Sequence, residues 1–243
     1  MKNILILILI SISINANTST INANYEGGIS IFGKVAEANV TLSEDFEKHT
    51  YKMKIKAYSI GIVKALTSNR EDLFISEGKN ENGIYIPYKF TKIVTKTNYL
   101  KKTTYIFDYK KEKVLRTIYK EELVEENDYD IIKVKIISKE RLVKSNEKQE
   151  IKLVPNDYLS MFLNFSKNTL KKGNISYIDQ SSSDKVTLIN KNEFKVSKHN
   201  GEEVYKINVV KDDTILFKKA IAVDIAFYGD AYIEKISKKR DRD

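Results

Sequence analysis

Alternation at a period of two residues constrains this chain more than any other feature. In Tyr51-Lys52-Met53-Lys54-Ile55-Lys56-Ala57 every odd position is apolar and every even one is lysine. Successive side chains of a strand point to opposite faces, so this segment buries one face and wets the other. A helix would scatter the same residues around its circumference. Comparable segments recur at 72–77, 84–95, 100–109, 113–120, 130–144, 148–154, 174–179, 185–190, 193–198, 203–210, 214–226 and 231–237. The expected fold class is mainly β: a curved antiparallel sheet or an open β-barrel.

Turn chemistry supports the pattern. Asn82-Gly83 and Asn200-Gly201 are two-residue hairpin signals, because Asn and Gly accept the positive φ of a type I′ turn. A two-residue loop at 200–201 places Val196 opposite Tyr205 and Phe194 opposite Ile207, apolar against apolar on one face. The glycines of Gly28-Ile29-Ser30-Ile31-Phe32-Gly33 mark a bulge or bend in the first strand. The acidic run Glu121–Glu126 reads as a solvated turn, and Ser181-Ser182-Ser183-Asp184 as a loop.

A single helix is expected, over 157–170. Pro155 ends the preceding strand, Asn156 or Asp157 caps the first turn, and Tyr158, Leu159, Met161, Phe162, Leu163 and Phe165 form a broad apolar face. Lys171 and Lys172 suit the negative end of the helix dipole, and Gly173 closes it. One amphipathic helix among a dozen strands must lie against the sheet or plug the mouth of a curved one.

The amino terminus gives the address. Lys2 precedes the apolar run Ile4–Ile14, which is followed by the small residue Ala16. This is the layout of a secretory signal peptide, cleaved after Ala16 or as late as Ala23. The run is too short to cross a bilayer, which takes roughly 20 apolar residues. Charges interrupt every later apolar run, so no transmembrane segment is expected in the mature chain. Residues 24–237 read as one β-rich domain, and 238–243 as a charged tail. The chain has no cysteine, which excludes disulfides, thiol catalysis and thiolate metal sites, and favours a periplasmic location over a stapled secreted domain.

The net charge of +9 rests on lysines that alternate with acids along the strands, as on a solvated face. Nucleic-acid readers concentrate arginine and aromatic platforms in basic patches, and no such patch is present. No nucleic-acid partner is expected. Catalytic and metal chemistry is equally thin. The two histidines, His49 and His199, fall at strand ends with no ligand-like spacing, and no Gly-x-Ser-x-Gly or phosphate loop occurs. No metal or cofactor is expected. Asp108, Asp128, Asp130 and Asp157 are the carboxylates available for acid–base work. Asp157 has a capping explanation, Asp128 and Asp130 follow the acidic run, and Asp108 ends a strand. The expectation is no catalytic residue, with a carboxylate-based envelope hydrolase ranked last.

Several short segments, taken in order and spacing, resemble the domain-of-unknown-function 3108 family of exported bacterial proteins. They are Tyr25 with Ile31–Ala36, the strand from Tyr51 running into Ser59-Ile60-Gly61-Ile62, Arg70, Ser76-Glu77-Gly78, Pro87, Phe107-Asp108-Tyr109, and Asp157-Tyr158-Leu159-Ser160. The resemblance covers nearly all of the chain after the leader and marks Gly33, Gly61, Ser76, Gly78, Pro87, Asp108 and Asp157 as structural motif positions. It implies an antiparallel, curved β-sheet protein of the cell envelope without an established activity. In shape it is similar to periplasmic lipoprotein carriers, whose open barrels hold acyl chains.

Fifteen tyrosines and ten phenylalanines spread over the strands can fill a core or line a cavity. The leading expectation is a non-enzymatic periplasmic protein that binds a lipid-like or apolar envelope molecule inside the curved sheet. The helix would act as lid or wall, with Met161, Phe162 and Phe165 as contacts. The rival is a structural or assembly factor that holds another envelope protein.

Overall fold

Fifteen strands join one sheet in the computed structural model, which describes residues 17–130, 135–170, 173–179, 182–197, 203–225 and 229–236. The leader, Lys171, Lys172, Ser181, His199, the Asn200-Gly201 turn and the charged tail lie outside the described residues. The first run of strands is β1 (Thr18–Ile29), β2 (Gly33–Asp45), β3 (Thr50–Ser59), β4 (Glu71–Glu81), β5 (Ile84–Lys96), β6 (Tyr99–Asp108), β7 (Lys113–Asp130) and β8 (Lys135–Lys152). The second is β9 (Asn156–Asp157), β10 (Gly173–Asp179), β11 (Ser182–Asn190), β12 (Glu193–Ser197), β13 (Glu203–Lys211), β14 (Phe217–Ile225) and β15 (Gly229–Lys235). Helices α1 (Gly61–Leu66) and α2 (Tyr158–Ser166) interrupt them. Within each run chain neighbours are sheet neighbours, β8 and β9 lie at the two ends of the strand order, and β1 pairs with β15 to join the runs. All pairings are antiparallel except the two-residue contact of β9 with β10.

Local chemistry explains the registers. Asn82 and Gly83 both have positive φ, 54° and 84°, as a type I′ hairpin requires. Phe194 faces Ile207 and Val196 faces Tyr205, as the apolar pattern demands. The register of β1 against β2 slips between Gly27 and Gly28, a bulge where a Cβ on Gly28 would lie 2.4 Å from the Tyr232 ring.

Four sequence expectations need correction. The acidic run Glu121–Glu126 is not a turn but the middle of β7, held in the ladder by ion pairs of Glu121 with Lys144 and Glu126 with Arg141, both at 2.8 Å. The break expected between 144 and 148 is absent: Lys135–Lys152 form one strand, β8, while Asp130 ends β7. Ser182–Asp184 belong to β11, paired with Tyr177–Asp179. A second helix, α1, fills the β3–β4 connection.

Helix α2 is also shorter than expected. It stops at Ser166, where Asn168 takes the left-handed conformation (φ 58°) in place of the more distant Gly173. The cation at its C-terminus comes from across the sheet. Lys211 of β13 donates to the carbonyl of Phe165 at 3.0 Å and to Asn168 Oδ1 at 2.6 Å, with its amine 4.7 Å from the Phe165 ring centre. Burial holds the Lys211 amine below its ordinary pKa.

The curved sheet wraps α2 and supplies the core on both sides of it. Leu159 and Leu163 pack with Tyr25, Leu42, Met53 and Phe90 from the first run of strands. Met161 and Phe165 pack with Tyr177, Val186, Phe194 and Val209 from the second. Each such side chain contributes about 1.5–3 kcal/mol when fully buried. Among the described residues no helix is long and apolar enough to cross a membrane.

Candidate functional site

The site is built outward from the N-terminus of α2. Asp157 is fully buried and caps the helix, accepting from the N–H groups of Leu159 (2.7 Å) and Ser160 (3.0 Å). The Ser160 hydroxyl returns the contact to the Asp157 backbone at 2.9 Å, completing a capping box. Ser76 of β4 donates to Asp157 Oδ2 at 2.7 Å, and the Tyr51 hydroxyl lies 2.8 Å from Ser76 Oγ. This chain of polar groups pins the helix to β3 and β4. Desolvation raises the Asp157 carboxyl to about 6, against the four hydrogen bonds that favour its charged form. The same burial, with the Asp157 charge nearby, pushes the Tyr51 and Tyr109 hydroxyls up.

Gly78 completes the junction. A Cβ there would lie 2.2 Å from the Ile86 carbonyl, 2.5 Å from the Tyr51 ring and 2.8 Å from Pro87. Only glycine lets Tyr51 and β5 approach this closely. The register of β4 against β5 slips at the same place, between Glu77 and Gly78.

Beyond the junction β5 has a free edge. Residues 84–88 lie beside β4, but pairing with β6 begins only at Lys89. An unpaired edge leaves backbone donors and acceptors without partners. Here side chains supply them. Asn164 of α2 accepts from the Tyr85 N–H at 2.7 Å and donates to the Tyr85 carbonyl at 2.9 Å. Pro87 has no N–H to satisfy, and its carbonyl accepts from the Tyr109 hydroxyl at 2.7 Å.

A cleft of 490 Å³ opens along this edge. Ile84, Ile86, Pro87, Tyr88, Tyr109 and Pro155 form apolar walls, Asn156 and Asn164 sit among them, and Lys79 and Glu81 stand at the rim. Both prolines of the chain line it. The volume lies in the range of small-molecule sites, and the few polar groups among apolar walls are what orients a ligand in such a site.

The sequence-named ligand contacts lie elsewhere. Met161 and Phe165 are buried in the core, and Phe162 packs its ring 5.1 Å from Phe217. The spaces beside them measure 10 and 40 Å³, room for a few waters at most. Of the motif positions, Ser76, Gly78, Pro87 and Asp157 converge on the helix junction and the cleft. Gly33 opens β2 and Gly61 opens α1 at the other end of the sheet, both with positive φ. Asp108 closes the β6–β7 turn by accepting from the Lys111 N–H at 3.0 Å, a contact that lowers its pKa. Asp128 and Asp130 lie in the outer part of β7. His49 is exposed in the β2–β3 turn. Among the described residues no three His, Cys, Asp or Glu side chains gather as metal ligands.

Asn164, Tyr85 and Tyr88 were not singled out by the sequence. Asn164 alone carried a signal: an amide inside an apolar helix face competes with the helix backbone and needs a tertiary partner to be tolerated.

No family model matches the chain, and no curated protein matches it. Among solved structures it is similar to a beta-barrel-like protein of domain of unknown function DUF1849 from Brucella abortus, with 10% identity and a TM-score of 0.48 over 89% of this chain and 95% of that one.

Proposed function

We infer that this is an exported, non-enzymatic periplasmic protein that binds a lipid-like or apolar envelope molecule, and that it does so in the cleft between β5, Tyr109 and the Pro155 segment. The 490 Å³ cleft carries this reading, since the space beside α2 inside the sheet is too small for a ligand. Pro87 and Pro155 present rigid apolar walls, Tyr88 and Tyr109 offer amphipathic faces, and Asn156 and Asn164 can hydrogen-bond a polar head. Export rests on the leader. Cleavage after Ala16 leaves β1 whole, whereas cleavage after Ala23 would remove Thr18–Ala23, the residues paired with Val40–Asp45. Kinship with the domain-of-unknown-function 3108 family belongs to the same reading, supported by the meeting of Ser76, Gly78, Pro87 and Asp157 around one junction.

The test uses anilinonaphthalene sulfonate as a fluorescent probe of the mature protein, displaced by palmitate. Ile84→Asp and Tyr88→Asp alter exposed positions and are expected to weaken probe binding by at least about tenfold while the melting temperature stays unchanged. Wild-type protein that binds no apolar probe, or variants that bind it equally, would sink the reading and favour the assembly-factor alternative.

A further inference from the structure

Strand β8 ends the strand order and is paired on one side only, by β7. It runs for 18 residues, and every residue from Glu140 to Glu150 is exposed, so neither of its faces is covered there. Leu142 and Val143, 52% and 39% exposed, point to opposite faces. In an antiparallel pair alternate residues spend their backbone groups on the neighbour, and the rest turn theirs outward. Along β8 those outward groups meet no other backbone among the described residues. A long edge of this kind is a template for another strand.

Charge usually guards such an edge, and β8 carries it densely. Its order, however, is self-complementary. Two copies of β8 paired antiparallel about a two-fold axis at Lys144 set Glu140 opposite Lys148 and Arg141 opposite Glu147, twice each. The residues of each pair are an even number apart, so they share a face of the sheet. Glu140 and Glu147 are the acids of the segment 140–148, and no other centre on the strand gives both a cation. With the centre at 143 Glu140 faces Asn146, at 145 it faces Glu150, and at 146 Lys144 faces Lys148. Lys144 meets its own copy at the axis, but each ammonium is already held 2.8 Å from Glu121.

A single copy leaves these groups poorly matched. Glu140 stands across from Glu125 of β7, like charge against like, and Lys148 stands across from Thr117. Neither Glu140 nor Lys148 makes an ion pair among the described residues. A hollow of 370 Å³ lined by Arg116, Ile118, Glu147, Lys148 and Gln149 lies where Arg141 of a second copy would reach Glu147.

We propose that β8 is the seam of a two-fold dimer, in which residues 140–148 of two copies pair antiparallel about Lys144 and continue the sheet from one copy into the other. No residue that lines the cleft lies in β8, so dimerisation and ligand binding stand or fall independently.

Sedimentation equilibrium of the mature protein tests this, with a cross-link to fix the register. Wild type is expected to dimerise at micromolar concentration. Glu140→Lys and Lys148→Glu each set like charges across the seam twice, and each is expected to weaken the dimer by at least about tenfold. Both positions are exposed, and Glu140→Lys relieves the contact with Glu125, so neither effect can come from a weaker fold. Glu140→Lys combined with Lys148→Glu restores the pairs and is expected to dimerise within about threefold of wild type. The chain has no cysteine, so Lys144→Cys and Gln149→Cys proteins each carry one thiol. Two thiols at position 144 lie side by side across the axis, whereas two at 149 lie about 33 Å apart along the strands. Bismaleimidoethane is therefore expected to link the first protein and not the second. Wild type that stays monomeric, or single charge reversals that dimerise as wild type, overturn the proposal. So does equal cross-linking of the two cysteine variants, which would place the interface elsewhere.

Discussion

At Gly78 the space between Tyr51 and β5 admits a hydrogen and nothing larger. Gly78→Ala is expected to cost about 2–3 kcal/mol, the scale of an overpacked core site with backbone as the obstacle, read from urea unfolding. Asp157 carries the second residue-scale consequence. Its carboxyl sits at about 6 in the folded chain, above the ordinary 3.8, so protonation favours the folded state. This contribution is fully present below pH 3.8 and is lost as pH rises through 6. Other carboxylates act oppositely: the ion-paired Glu77 and the turn-capping Asp45 are held below their ordinary values, and their stabilisation is lost in acid. The Asp157 effect is therefore isolated against Asp157→Asn, which keeps an acceptor and loses the titration. The stability of wild type relative to that variant is expected to fall by about 2 kcal/mol between pH 4.5 and 7.5. A flat difference across that range would mean that Asp157 does not titrate there.

At the scale of elements, α2 and β5 depend on each other through one amide. Asn164→Ala would leave the Tyr85 N–H and carbonyl buried without partners, at a cost of about 2–4 kcal/mol. Asn164→Asp keeps the acceptor for the N–H but loses the donor, so it should fall between alanine and wild type in the same urea titration. Much of this level was legible in the sequence. The β12–β13 register, the Asn82-Gly83 turn and the Asp157 cap all follow from residues no more than 13 positions apart, the separation of Phe194 and Ile207. The errors have physical causes too. The acidic run of β7 reads as solvated turn until Lys144 and Arg141 are brought opposite it. Helix α1 has six residues and no side-chain cap, too little signal for a 3.6-residue period to register. The end of α2 is set by Lys211, 45 positions away from Ser166.

At the scale of the whole molecule, the sheet's curvature decides what the aromatic residues do. Phe162 packs edge-on to Phe194 and tilted against Phe217, and closes the interior. Phe162 is partly buried, so Phe162→Ala should lower stability by about 2 kcal/mol, less than a fully buried phenylalanine would, while leaving palmitate affinity at the cleft unchanged. A large loss of palmitate affinity in a folded Phe162→Ala protein would instead place the ligand beside α2.

The sequence by itself determined the class of fold, most strand positions, the key hairpin registers and the capped helix, because side-chain alternation, turn geometry and capping act over a few residues. Only the tertiary structure decided that α2 fills the sheet rather than lining an open barrel. It alone joined Ser76 to Asp157 across 81 residues and moved the open volume to the β5 edge. Those outcomes depend on strand twist accumulated over many pairings, which sets the distance between segments far apart in the chain and which no local pattern encodes.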